Sequence, residues 1–412
     1  MYRKFLEKLM WAGIRSCQPN SCLLTKYVPS PPVGRTVVIG AGKAASAMAL
    51  EVEKLWSGGS FEGVVVTREG SKVNCSQIEV IEASHPSPDS SSVKAGQRIR
   101  HAVSDLSEND LVLMLLSGGG SSLLCGLPSG ISLSQKQHCM HQLLMSGASI
   151  SELNCVRKHL STIKGGQLAL TIFPAMVVNL VISDVVSNDL SIIASGPTVG
   201  DQSTQSDARI ILEQYDIKVS QSINRFLNNP NHETPDPLNP IFRKVENHLL
   251  ATSKTALEAA YKAAKKSGFS PIILSDSYEG NTLDLARKHL DILSSVSPGS
   301  ILLSGGEATV KVDGNGYGGP NTEFCLAMSL ALEGKENVWG IAVDTDGVDG
   351  TAKCAGAYFS PDILSRGKSL GLDARVNLLD NNSGHFFKTL GNDIKIGHTQ
   401  TNVNDFRAIL VT

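Results

Sequence analysis

The chain has 412 residues, enough for two domains that each bury a core of their own. Hydrophobic residues make up 41% and charged residues 18%, which excludes a disordered or acidic-tail protein. The 37 Lys and Arg against 39 Asp and Glu leave a formal charge of −2, which argues against nucleic acid as a partner.

In chain order, Phe5–Trp11 reads as an amphipathic helix with Phe5, Leu9 and Ala12 on one face. Short apolar runs then alternate with helix-period segments, the pattern of parallel α/β sheets. Strands are predicted at Thr36–Ile39, Val64–Thr67, Leu111–Leu116, Val177–Ile182, Pro271–Leu274, Ser300–Leu303 and Trp339–Val343. Helix faces fall at Ala45, Met48, Val52 and Leu55, and at Leu257, Ala260, Tyr261 and Ala264. Asn228–Pro240 holds four prolines and four asparagines, so it continues neither a helix nor a central strand and is favoured as the domain boundary. Leu115–Gly119 recurs as Leu302–Gly306, a short internal echo. The eight cysteines show no C-x-x-C and read as reduced thiols, which points to the cytoplasm. No apolar run approaches the roughly 18 residues of a membrane span.

The loops after strands carry the chemistry, because open α/β sheets bind ligands at the carboxyl ends of their strands. Gly40-Ala41-Gly42-Lys43-Ala44-Ala45 fits G-x-G-x-x-G/A between a strand and a helix, a phosphate turn with a lysine inside it. No acid ends the next strand, which reads Thr67-Arg68, so a dinucleotide there would be NADP. Ser117-Gly118-Gly119-Gly120-Ser121-Ser122 reads as an anion nest rather than a flexible connector, since it follows six apolar residues. The stretch Asn154–Gln167 gathers Arg157, Lys158, His159 and Lys164, either an anion-binding cluster or a solvated helix face. Asp184, Asp189, Asp344, Asp346 and Asp349 follow apolar strands, where carboxylates bind Mg²⁺ or cap a turn. Walker, protein-kinase, H-E-x-x-H and G-x-S-x-G signatures are absent from the sequence. Two phosphate turns, a cationic stretch and strand-end acids favour phosphoryl transfer over hydride transfer.

The chain resembles the class II glycerate kinases, which pair an N-terminal Rossmann-like domain with a C-terminal MOFRL domain. The resemblance rests on Gly40–Ala44, Ala83–Asp89, Ser117–Ser122, Val156–Ser161 with Lys164-Gly165-Gly166, and Ala194–Thr198. It continues through Ser304–Glu307, Gly318–Glu323, Asp344–Gly350 and Thr401–Asp405, so it spans nearly the whole chain. It implies an α/β fold of two three-layer α/β/α domains with mainly parallel sheets, divided at 1–244 and 245–412, with the active site in the cleft between them. The implied reaction is transfer of the ATP γ-phosphate, with Mg²⁺, to a hydroxyl of D-glycerate, O2 in particular.

By position, the resemblance gives Lys43, Arg157 and Asp184 catalytic roles. It gives Gly40, Gly42, Ser117, Gly118, Gly119, Gly120, Ser121, Ser122, Lys158 and Lys164 contacts to ATP phosphates. Ser195, Glu307, Asn321, Glu323 and Asn404 line the cleft, and Asp184 with Asp189 takes the metal. ATP and D-glycerate are the implied partners, with neither nucleic acid nor membrane, and a homodimer stands open. Pro320 and Gln167 occupy positions where many members carry a basic residue, and Lys353 one where an acid is common. The rivals are an NADP-dependent hydroxypyruvate reductase and a nucleotide-responsive binding protein without turnover. His85 and His159 read equally as catalytic or as structural histidines.

Overall fold

A computed structural model describes residues 1–22, 27–333 and 335–412. Six strands build the first sheet: β1 (Thr36–Ala41), β2 (Glu62–Arg68), β3 (Ile78–Ala83), β4 (Leu111–Leu116), β5 (Met176–Ile182) and β6 (Val245–Ala251). Their order is β3-β2-β1-β4-β5-β6, and the pairings from β3 through β5 are parallel. β1 and β4 are buried at every position, as continuous apolar runs in a doubly covered parallel sheet should be. The chain runs outward from β1 to β3 and then returns to β4 on the other side of β1, so the strand order reverses between β1 and β4. Ala41 lies beside Leu116, which sets the two glycine loops next to each other.

The N-terminal helix α1 covers Tyr2–Ser16. In the first unit follow α2 (Ala45–Leu55), α3 (Ser90–Ala102), α4 (Gly120–Leu123), α5 (Leu133–Met145), α6 (Ile150–His159), α7 (Gln167–Ile172), α8 (Gln205–Gln214) and α9 (Gln221–Leu227). Ala95 and Ile99 of α3 and Leu168 and Ile172 of α7 share one core with Ile39, Val66, Met114 and Val181 of the sheet. A second core joins α5, α6, α8 and α9 through Leu143, Val156, Leu212 and Leu227. Serine caps α5 and α6, Ser132 and Ser149 each accepting the amide three residues on.

The second sheet combines β7 (Ser270–Asn281), β8 (Ser300–Thr309), β9 (Val338–Asp344), β10 (Gly356–Phe359), β11 (Asp393–Ile394) and β12 (Asp405–Val411) in the order β11-β10-β9-β12-β8-β7. Only β7–β8 is parallel; β8–β12, β12–β9, β9–β10 and β10–β11 are antiparallel. The mainly parallel expectation thus holds for the first sheet and is corrected for the second. No helix separates β9 from β10, and antiparallel neighbours need no crossover helix between them. Successive residues of β12 serve opposite faces. Phe406, Ala408 and Leu410 pack with α1 and with α10 (Ser253–Lys266), while Ile409 and Val411 pack with α11 (Thr282–Leu293) and α12 (Pro320–Ala331). The unit is a three-layer sandwich.

The compact units are Leu23–Leu250 and Met1–Cys22 with Ala251–Thr412, which differs from a break at 244/245. α1 belongs with the second unit because Leu6, Leu9, Met10 and Ile14 bury against Leu257, Ala260 and Ala264 of α10. Its buried face is therefore one residue out of phase with the predicted Phe5–Leu9–Ala12 stripe, since Phe5 and Ala12 stay half-buried. Asn228–Pro240 lies inside the first unit. Its prolines begin two short 3-10 turns, and the Pro235 carbonyl accepts the Asp201 amide at 3.0 Å. Prolines stopped regular structure there without preventing docking.

Candidate active site

The two glycine loops meet at the point where the strand order reverses. Ser117 donates its amide to Ala41 O at 3.1 Å, Lys43 donates to Gly118 O at 2.8 Å, and Ala44 donates to Ser117 Oγ at 2.9 Å. Gly42 donates to Val66 O and Ala45 to Gly42 O. The amides expected to cradle a phosphate in the first turn are thus engaged inside the protein. Gly40 and Gly42 serve approach instead: a Cβ on Gly42 would fall on Ser117, and one on Gly40 on the Leu115 carbonyl. The turn is a buttress for the second loop.

That second loop is half-buried and lines a cavity. Gly119 caps α4 with φ of 81°, and its amide and that of Ser121 donate to no other backbone group among the described residues. A Cβ on Gly119 would stand 2.9 and 3.0 Å from the His85 ring and 3.5 Å from Cγ of Lys43. Lys43 and His85 therefore both lie over the bare face of Gly119. From the next strand end comes a run of left-handed residues, Ala194, Ser195 and Gly196, with φ of 51°, 61° and 61°. Two of these are not glycine, a conformation costing about 1–2 kcal/mol per residue. It is held because Ser195 O and Gly196 O accept the amides of Gly165 and Gly166 at 3.0 and 2.7 Å. The result brings Ser195 Oγ to 2.6 Å from Ser121 Oγ.

Beside this loop opens a cavity of about 610 Å³ lined by His85, Gly119, Ser121, Ser122, Lys164 and Arg157, among others. Lys164 is fully buried and donates to Ser121 O at 2.7 Å and Leu124 O at 3.0 Å. Burial first, then the charges of Lys136 and Arg157, push its ammonium well below the ordinary lysine value. Arg157 donates to Asn154 Oδ1, and burial lowers it too. Lys136, which sequence reasoning passed over, is 4% exposed, donates to Leu160 O at 2.6 Å, and is also lowered by burial. No Asp or Glu lines the cavity among the described residues. Met140, Leu144, Leu153, Pro86 and Pro88 add apolar lining. Lys136 was detectable: it shares a face with Cys139 and Leu143, so a lysine stood on the buried stripe of α5.

Other expected residues are placed elsewhere. Lys158 turns away to Asp201, 3.2 Å from Oδ1, and His159 lies 2.9 Å from Cys155 O and 3.1 Å from both Glu233 Oε1 and Thr234 Oγ1, a structural tie. α6 ends at His159, so Leu160–Lys164 is not helical; Ser161 Oγ instead accepts the amides of Ile163 and Lys164. Asp184 is half-buried just past β5, whereas Asp189 is exposed and accepts the Ser191 amide at 2.8 Å, shaping its own turn. In the second unit Asn321 is fully buried and donates to Asp405 and Asp349 at 2.6 and 3.3 Å, so it faces the protein rather than a ligand. Glu323 is buried too and accepts from Asn381 at 3.1 Å; burial raises its carboxyl. Asn404, with φ of 66°, accepts the Thr345 amide and hydroxyl on its carbonyl, and Glu307 is exposed on β8. Asp346 Oδ1 accepts the Val348 amide and Asp344 Oδ1 the Asp346 amide, both at 2.8 Å, so these acids cap their own loop. All eight cysteines are unbridged, and no helix among the described residues is long and apolar enough to cross a membrane.

Residues 5–228 match the family described as Domain of unknown function (DUF4147), and residues 300–405 match the MOFRL family. The chain is 39% identical to the D-glycerate 2-kinase of Thermotoga maritima, over 98% of this chain and 97% of that protein. It is 44% identical to a protein of Agrobacterium vitis named "Putative hydroxypyruvate reductase", over 99% of this chain and 94% of the relative. A crystal structure of glycerate kinase from Thermotoga maritima matches with a TM-score of 0.92 and 36% identity, covering 100% of this chain and 99% of that one. The two glycine loops, the buried cations beside them and these full-length matches place the chain in the glycerate kinase family that carries a C-terminal MOFRL domain.

Proposed function

We propose that the protein transfers the γ-phosphate of ATP to the 2-hydroxyl of D-glycerate, releasing ADP and 2-phosphoglycerate. The observation that carries this reading is the cavity beside Gly119–Ser122, where Lys136, Arg157 and Lys164 are desolvated together without an opposing carboxylate. A bound polyanion would supply the opposing charge that this group of cations lacks. Both substrates are anions, and phosphoryl transfer asks the protein mainly for positioning and charge stabilisation.

In this mechanism the amides of Gly119 and Ser121 and the hydroxyls of Ser121 and Ser122 hold phosphate oxygens. Lys164 fixes that loop through the Ser121 and Leu124 carbonyls and adds positive charge under it. Lys43, over Gly119, meets the phosphoryl group in flight, and Arg157 offers its planar fork to a phosphate or carboxylate. Ser195 supports Ser121 by the 2.6 Å contact between their hydroxyls. The donor set for Mg²⁺ is sparse: no group of three His, Cys, Asp or Glu able to hold a metal occurs among the described residues. That fits an ion which keeps waters, is held by one or two carboxylates and takes other ligands from substrate phosphates. Asp184, half-buried just past β5, is the carboxylate that would hold it. When bound, Mg²⁺ neutralises charge on the nucleotide phosphates. The eight unbridged cysteines support a reducing compartment, the cytoplasm.

Incubation of the purified protein with ATP, Mg²⁺ and D-glycerate, followed by ³¹P NMR, should give a phosphomonoester whose proton coupling identifies O2. Intact ATP with NADPH oxidation by hydroxypyruvate would replace this reading with the reductase. The engaged amides of Gly42, Lys43, Ala44 and Ala45 speak against a dinucleotide on the first turn.

A further inference from the structure

The reaction just described uses Lys164 and Arg157 but leaves Lys136 without a task. Its place is unusual for a lysine. α5 carries it on the face that buries Cys139 and Leu143, and only 4% of the residue is exposed. Its ammonium donates one hydrogen bond, to Leu160 O at 2.6 Å, just past the end of α6. An ammonium has three donors. Lys164 similarly spends donors on Ser121 O and Leu124 O, both carbonyls. Each lysine therefore keeps donor capacity on the cavity that both line.

The groups facing the pair do not neutralise it. Cys125 and Cys139 lie within electrostatic reach of Lys136, burial lifts the Cys139 thiol to about 11, and Arg157 adds a further cation. Lys164 is faced by Lys136, Cys125 and Arg157. His85 and His141 are the remaining titratable residues of the lining. Asp201, near Gly165, has one carboxylate oxygen taken by Lys158 and Ser203.

We propose that Lys136 is a second anion-binding lysine of this cavity, gripping a phosphate of the nucleotide jointly with Lys164. The inference rests on the kinase reading for the identity of the ligand and adds to it a residue with a defined task. Two desolvated ammonium groups close together repel, and burial moves both below the ordinary lysine value. An arriving phosphate reverses that balance and favours the charged form of each. Nucleotide binding then takes up protons wherever the free pair is partly deprotonated, and affinity falls as rising pH removes protons from the free pair.

The test is calorimetry of ATP with Mg²⁺ on the full chain at about pH 8.5, in buffers of different ionisation enthalpy, where histidines and ATP phosphates no longer titrate. The wild type should take up protons. Lys136→Met should bind ATP about 10- to 100-fold more weakly and take up fewer protons. Lys136→Arg should regain affinity without regaining the uptake. A structural tie to Leu160 alone would move neither the proton count nor its pH dependence. Lys136→Met that folds and binds ATP with wild-type affinity and proton uptake overturns the proposal, and leaves the kinase reading intact if wild type still yields phosphoglycerate. Should that variant not fold, Lys136→Arg decides: proton uptake equal to that of the wild type in this variant also overturns it. Absence of ATP binding by the wild type sinks both readings together.

Discussion

At Gly119 three requirements coincide: φ of 81°, an amide without a backbone partner among the described residues, and a bare Cα under His85 and Lys43. Gly119→Ala should cost about 1–2 kcal/mol in thermal unfolding from the left-handed backbone. It should also lower kcat/KM at least about tenfold, because the methyl displaces the His85 ring. Lys43→Met is expected to keep the melting temperature and reduce kcat by about 10²–10³, the usual loss when one charge-stabilising donor is removed. His85 could be read as catalytic or structural, whereas Lys43 was legible in sequence because it sits in a glycine turn at a strand end. Lys158 was not, for a geometric reason: adjacent helical residues point about 100° apart, so Arg157 and Lys158 could not both face the same cavity. Lys136 belongs to no motif, so its one sequence signal is its place on the Cys139–Leu143 face of α5.

The strands and helices that position the site were the easier part of the sequence. Apolar runs at β1, β4 and β5 mark themselves because helices cover both faces of that sheet. β12 escaped prediction although every residue of it is buried, because Asp405 and Arg407 interrupt its apolar run. The two pair with each other inside the protein, and Ala308 donates its amide to Asp405 at 2.9 Å. The other partners of Asp405 come from β8 and from Asn321 of α12, distant in sequence, so no local window contains them. For α1, the measurable quantity is its grip on α10. Leu9→Ala, at a fully buried position, should lower stability by about 2–4 kcal/mol in denaturant unfolding followed by Trp11 fluorescence. An unchanged midpoint would show that α1 does not belong to the core of its unit.

Across the second unit, two buried groups pull stability in opposite directions with pH. His289 donates Nδ1–H to Leu285 O and receives the Ser304 hydroxyl on Nε2, both at 2.8 Å, and burial lowers it to about 4. Its contribution is complete above the unfolded value of about 6.5 and is lost as pH falls toward 4. Burial raises Asp349 to about 6 against the amides of Asn321 and Thr322, so its contribution is complete below about 3.9 and lost as pH rises through 6. The two slopes offset between about pH 4 and 6, and the wild-type unit should show a shallow profile there. His289→Gln removes one slope, so its stability should fall as pH rises from 4 to 6; a profile parallel to wild type would refute the assignment. The division of the chain adds a consequence in time. α1 is made before Leu23–Leu250, yet its apolar partners on α10 are made only after the whole of that stretch. At about 5–20 residues per second, synthesis of that stretch takes on the order of ten seconds or more. For that interval Leu6, Leu9, Met10 and Ile14 have no native surface to cover them, so the growing chain carries an early helix with a high demand for chaperone protection until α10 arrives.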